Sequence, residues 1–256
     1  MILSTICCYA QFTVAHDAIH GAISSKYQRL NTIIGSIAQL WLGPTSSWQA
    51  IKYNHLTHHA HTNHPEFDPD YWCSLNGPGG YYLTPLRWFT VDVSYLLTFI
   101  PKFLNDSTTD KLMYLGYEAL MIAFLYISIQ YGFFLTLLQF WIIPARLATA
   151  FLAFAFDFLP HYPHDVLRKD NKWKTTTYLS AGTLVRPFLS ISIFYQNYHV
   201  AHHLVPFVPF YRYKEVFYEM SHELLNEREI EVRRILPALG VETLPYDNEN
   251  RKEKEE

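Results

Sequence analysis

Two long apolar stretches, Leu112–Ile129 and Phe133–Leu159, stand back to back with only Gln130-Tyr131-Gly132 between them. About 20 consecutive apolar residues are enough for a helix to cross a bilayer, and an isolated segment can satisfy its backbone there only as a helix. The first stretch carries one charge, Glu118. The second is interrupted by Pro144 and Arg146 and closed by Asp157 and Pro160. The pair predicts a membrane hairpin within an all-α, multi-pass helical bundle. Arg146 is expected near the far interface, because a charge in lipid is costly and a long side chain can reach water from a helix end. The helix proper is then expected to run from about Ile142.

The remaining segments extend this expectation. Met1–Ala15 is almost wholly apolar, has no basic start and precedes no cleavage site, so it predicts the end of a membrane helix rather than a signal peptide. It is shorter than a span, and the chain is therefore expected to begin inside a helix that lacks its first part. Asn31–Gly43, ended by Gly43-Pro44, is too short to span and is expected to be interfacial or buried. Trp88–Leu104, with Asp92 and Lys102, predicts an interfacial amphipathic helix, and Leu184–Ser192 a short run packed against the membrane face. The hairpin turn has no Lys or Arg, whereas the flanking polar segments carry Lys52, Arg87, Lys102 and Lys111 on one side and Arg168, Lys169, Lys172 and Lys174 on the other. The positive-inside rule then puts both polar segments, and every histidine cluster, on the cytoplasmic (or stromal) face. Residues 1–240 are expected to form one domain and residues 241–256, dense in charge, a disordered tail.

Composition fits a chain partly dissolved in lipid. Half of its 256 residues are hydrophobic and only 17% are charged, against about a quarter charged in soluble domains. A mean hydropathy of −0.02 leaves large parts in water. The net charge of −3 offers nucleic acid no bulk attraction. Cys7, Cys8 and Cys73 make neither a disulfide framework nor a CxxC metal motif.

The unusual count is thirteen histidines, and eight of them fall in three boxes that bracket the hairpin: His16-x-x-x-His20, His55-x-x-His58-His59 and His199-x-x-His202-His203. Spacings of three and four put side chains on one helical face with Cβ atoms about 5–6 Å apart, close enough for two imidazoles to share one ion. The adjacent third histidine can turn to a neighbouring ion. Imidazole suits iron, zinc, copper or nickel. A zinc protease would show HExxH, and no box contains Glu. One catalytic zinc takes three protein ligands, so eight ask for two ions. A carboxylate-bound iron pair would show ExxH on its helices, and that pattern is also absent. A histidine-rich di-iron site beside a membrane remains. His161, in Asp157-Phe-Leu-Pro-His161-Tyr-Pro-His164, is the expected ninth ligand, with His164 as the alternative. Asp157, one turn back, is a candidate to orient a ligand histidine or hold a water, or else is an ordinary boundary charge. Asp68 and Asp70 are candidates to accept from ligand N–H groups or to cap the next turn, and Asn197 is a candidate for the same outer role. His61 and His64 are expected to be solvated loop residues.

With HDAIHGAI at 16–23, HLTHHAHTNHPEFDPDYW at 55–72, FDFLPHYP at 156–163 and QNYHVAHHLVPFVPFYRY at 196–213, the chain resembles the membrane fatty-acid desaturase superfamily over roughly residues 10–220. Within it the chain looks most like the carotenoid β-ring hydroxylases of the cyanobacterial type. The related carotenoid ketolases share the HDxxHG opening, the DPD stretch and the LPH segment. Two departures are the absence of about one earlier membrane span and His64 where an acidic residue is expected. The resemblance implies a cytoplasmic cap holding two irons over a membrane bundle and an apolar substrate arriving from the lipid. It also implies O₂ as co-substrate and electrons from a ferredoxin or an NAD(P)H-linked reductase. Hydroxylation of a carotenoid β-ring is the leading expectation. The alternatives are a fatty-acyl or lipid desaturase, a carotenoid ketolase, and a truncated, non-catalytic paralogue.

Overall fold

The computed structural model of the chain describes residues 1–43 and 47–235. Pro44, residues 236–240 of the expected domain and the expected tail at 241–256 lie outside the described residues. The described chain is mostly helical: α1 Ile2–Ile19, α2 Gln28–Gln39, α3 Trp48–His61, α4 Thr84–Phe89, α5 Val91–Leu104, α6 Thr108–Gln130, α7 Phe134–Phe158, α8 Arg186–Ser192, α9 His199–Leu204 and α10 Tyr213–Glu219. The all-α expectation needs one correction. Strands β1 Tyr178–Ser180 and β2 Val232–Arg234 pair in parallel, tying the segment after α7 to the last described residues.

α6 and α7 are each long and apolar enough to cross a membrane. Met121 and Ser128 are the only buried residues of α6, while Leu112, Leu120, Ile122, Ile127 and Ile129 are exposed. α7 begins at Phe134, well before the expected Ile142. Pro144 does not break it, because the backbone widens into a π-helical turn at Leu138–Ile142. Proline lacks an N–H and crowds the preceding turn, and a wider turn relieves both conflicts. Arg146 lies near the middle of α7. Its guanidinium takes Asp92 of α5 in a two-point ion pair at 2.8 and 2.9 Å and also donates to the Phe89 carbonyl at 2.8 Å. A fork-to-fork pair satisfies both charges locally. The expected single helix over Trp88–Leu104 is broken at Thr90 into α4 and α5.

One core binds α1, α2, α3 and α7 together: Phe12, Ala15 and Ala18, Ala38, Trp48 and Ile51, Ala148, Leu152 and Phe156 are all buried in it. Small residues on α1 and α7 let those helices approach closely, and each large apolar side chain removed from water contributes about 1.5–3 kcal/mol. Gly35 is required by this packing, since a Cβ there would lie 2.2 Å from the Trp48 ring. Trp48 thereby pins the start of α3, where Ser47 caps the helix by accepting from Ala50 N. A second core of Tyr178, Tyr198, Tyr213, Phe217 and Leu224 packs α9 against α10 and β1. These two cores carry the three histidine boxes.

Candidate metal centre

The last turn of α1 supplies His16, and the residue that ends it supplies His20. α3 supplies His55, His58 and His59, the turn after α7 supplies His161, and α9 supplies His199, His202 and His203. Their ring nitrogens converge. His16, His20, His55 and His202 form one four-nitrogen group, and His58, His161, His199 and His203 form another. His59 stands between them. Its Nε2 lies 3.2 Å from that of His55 and 2.8 Å from that of His202, and it groups with His202 and His203.

Within the first group, His16 and His202 approach at 3.1 Å and His20 and His55 at 2.8 Å, Nε2 to Nε2. Within the second, His58–His203 is 3.3 Å, His199–His161 3.0 Å and His203–His199 3.1 Å. Nitrogens bound to one ion at about 2.1 Å and at right angles stand about 3 Å apart, so these spacings fit shared ligation.

Outer partners fix which nitrogen faces inward. His58 Nδ1 donates to Asp68 Oδ1 at 2.8 Å and lies 3.2 Å from Asp70 Oδ2. His199 Nδ1 donates to Gln196 Oε1, and His202 Nδ1 meets the Tyr213 hydroxyl at 2.9 Å. With Nδ1–H spent outward on Gln196, the neutral His199 turns its Nε2 lone pair toward its own group, and His58, held outward by Asp68, would do the same once a metal ion displaced its Nε2 proton. A cation satisfies such converging nitrogens in a buried space. The donor set therefore fits two imidazole-binding metal ions.

The electrostatics agree. Burial first, then the nearness of other histidines, pushes His55, His59, His161, His199, His202 and His203 well below the ordinary histidine value, and His20 down to about 2. Neutral imidazole is the ligating form. His58 runs the other way. Burial lowers it, but Asp68 and Asp70 outweigh burial and raise it to about 9.

The structure places the other sequence-selected residues as follows. Asp68 also accepts from Asn63 N and Asp70 N, and Tyr95 donates to Asp70 at 2.7 Å. His164 is outside both groups; its Nε2 is used on the Asp157 carbonyl at 3.2 Å. The Asp157 carboxylate faces Cys73 Sγ at 3.8 Å. Asn197 is buried and neither of its amide atoms has a hydrogen-bond partner, while its neighbour Gln196 holds His199. His61 is exposed, and His64 sits half-buried against Phe67. Gln196 and Tyr213 were not singled out from the sequence. Gln196 stands three residues before His199, the helical spacing that lets a side chain reach forward, whereas the distance of Tyr213 from His202 in sequence offered no signal.

Two groups of largely buried imidazoles, beside two helices of membrane-spanning length, make a histidine-rich site able to hold metal next to an apolar frame. The chain belongs to the fatty acid desaturase family, whose model matches residues 1–233. A protein named beta-carotene ketolase, from Paracoccus sp. (strain PC1), is 30% identical over 203 residues, covering 78% of this chain and 71% of that protein. A zeaxanthin 4-ketolase from Chlamydomonas reinhardtii is 26% identical over 78% of this chain and 39% of its own length. A chloroplastic omega-3 fatty acid desaturase from Brassica napus is 25% identical over 81% and 56%.

Proposed function

We propose that this protein is a membrane-bound, O₂-dependent di-iron oxygenase that oxygenates the β-ring of a carotenoid. The observation that carries the proposal is the convergence of nine histidine nitrogens into two groups of four linked by His59. His16, His20, His55 and His202 would hold one iron, and His58, His161, His199 and His203 the other, with His59 between. Bound there, the two irons supply the activation of O₂ that an unactivated C–H bond requires. Asp68, Asp70, Gln196 and Tyr213 keep the rings turned inward, and the apolar walls of α1, α3 and α7 exclude water from the reacting carbon.

In each turnover a ring C–H bond is broken and a C–O bond formed. One O₂, two electrons and two protons are consumed, and the hydroxylated ring and one water leave. A second round at the same carbon gives a geminal diol, which loses water to become a ketone. Hydroxylation is what the boxes and their flanking segments led us to expect. The relatives named as ketolases support the further oxidation. The electrons come from a ferredoxin or an NAD(P)H-linked reductase. On this reading α6 and α7 span the membrane as a hairpin in a multi-pass bundle, and the Lys and Arg residues on both flanks support a cytoplasmic or stromal face for the histidines.

A second reading, fatty-acyl desaturation, is favoured by the likeness to the omega-3 desaturase along 81% of the chain. Expression in a bacterium that accumulates β-carotene, supplied with a ferredoxin and its reductase, separates the two. A hydroxylated or ketolated β-ring is the expected product. New acyl double bonds with unchanged pigment overturn the carotenoid reading. No product, together with purified protein devoid of iron, supports the non-catalytic paralogue.

A further inference from the structure

Phe12 precedes His16 by four residues, Ile51 precedes His55 by four, and Asp157 precedes His161 by four. All three line one small cavity between α1, α3, α5 and α7. It lies about one helical turn, some 6 Å, from the histidine layer along α1 and α3, and the Phe12 and His16 rings are 5.8 Å apart. The walls are chiefly apolar, and Gln39, at the end of α2, projects into the space.

Gln39, like Asn197 beside the third box, is a buried amide without a partner, and it is the one that faces this cavity. It is 1% exposed, and neither its Nε2 nor its Oε1 has a hydrogen-bond partner. Of the other polar groups around the cavity, Tyr95 is committed to Asp70 and Asp92 to Arg146, and the Asp157 carboxylate faces Cys73 Sγ at 3.8 Å. Buried amides in native proteins are paired, and an unpaired one calls for an absent partner. The cavity measures about 40 Å³. That exceeds the roughly 10–15 Å³ that one water needs by the same measure. It is room for a small oxygen-bearing group.

We propose that Gln39 is a specificity-determining residue that binds an oxygen substituent on the substrate ring, so that the protein prefers a ring already carrying a hydroxyl group. This inference rests on the carotenoid reading above. With the reacting ring carbon presented to the histidines, a hydroxyl on the adjoining carbon reaches the cavity. There it donates to Gln39 Oε1 and accepts from Nε2–H. Water fills the place in the absence of substrate and is displaced by the hydroxyl. An unoxygenated ring leaves the amide unpaired or keeps the water, and either way binds less tightly.

The test compares β-carotene with zeaxanthin, its dihydroxylated form, on the purified full-length wild type and on Gln39→Met, which keeps the size and removes both polar atoms. Binding is read from the carotenoid absorption shift in nanodiscs, and product ratios are measured in parallel. The wild type is expected to bind zeaxanthin about tenfold more tightly, the equivalent of about 1.4 kcal/mol. Gln39→Met is expected to bring the ratio close to one with iron per chain unchanged. If Gln39→Met loses its iron, Gln39→Glu, which retains an acceptor, is expected to keep the preference. A wild type that oxygenates β-carotene and binds both pigments equally overturns the role of Gln39 and leaves the carotenoid reading standing. An unchanged preference in iron-replete Gln39→Met overturns it as well, because the cavity then holds only water. Failure to bind either pigment, with acyl desaturation instead, overturns both.

Discussion

His58 donates from Nδ1 to Asp68 Oδ1 at 2.8 Å, with both side chains buried. This bond ties a residue of α3 to the loop that follows it and leaves His58 Nε2 facing His203 at 3.3 Å. Asp68 carries more than this bond, since its two oxygens also receive Asn63 N and Asp70 N. It therefore shapes the loop and aims the ligand at once.

Asp68→Asn keeps the shape and removes the charge. It is expected to lower metal affinity 10–100-fold, the usual cost of losing an outer carboxylate. The loss should fall on the ion held by His58, His161, His199 and His203. Iron per chain by elemental analysis, with Mössbauer spectra to separate the two ions, checks this. Equal loss from both ions would contradict the assignment.

His161 and His164 lie three residues apart, yet only His161 reaches another histidine nitrogen, that of His199 at 3.0 Å. His161→Ala is expected to lose iron and activity together. His164→Ala is expected to keep its iron and lose about 1–2 kcal/mol of stability through the orphaned Asp157 carbonyl. Iron content set beside thermal stability discriminates the two. Iron loss in His164→Ala would promote it to a ligand.

The iron-free protein is expected to weaken as pH falls below about 6.5. His20, His55, His59, His161, His199, His202 and His203 are depressed in the folded state. Below the ordinary value of 6.5 the unfolded chain therefore binds more protons than the folded one, and stability declines with acid. His58, raised to about 9, acts oppositely: its contribution is complete below 6.5 and is lost as pH rises through 9. Thermal denaturation of chelator-stripped protein from pH 5 to 10 should show a maximum between these limits. With iron bound, protons compete for the same nitrogens, so iron should leave on the acid side only.

Arg146 and Asp92 form a two-point pair between α7 and α5. Removing either partner strands the other, whereas removing both does not. Asp92→Leu and Arg146→Met are each expected to destabilise more than the double variant does. The coupling should be about 1–3 kcal/mol in a double-mutant cycle, as for residues in direct contact. Additive effects would show that the pair contributes nothing.

Much of the centre was legible in the sequence because ligand spacing is local. Intervals of three and four residues set imidazoles on one helix face wherever the helix sits, and two apolar runs of spanning length declare a hairpin. The tertiary structure decided what depends on residues far apart in the chain. His16 meets His202 across 186 positions, which no periodicity announces. The division of nine histidines into two groups, the place of His59 between them, the hold of Tyr213 on His202, and the burial of Gln39 beside the ligand layer all follow from how α1, α3, α7, α9 and α10 pack. So does the pairing of Arg146 with Asp92, 54 positions apart in the chain. Local spacing sets the kind of chemistry a segment can join, and only packing sets which segments join it.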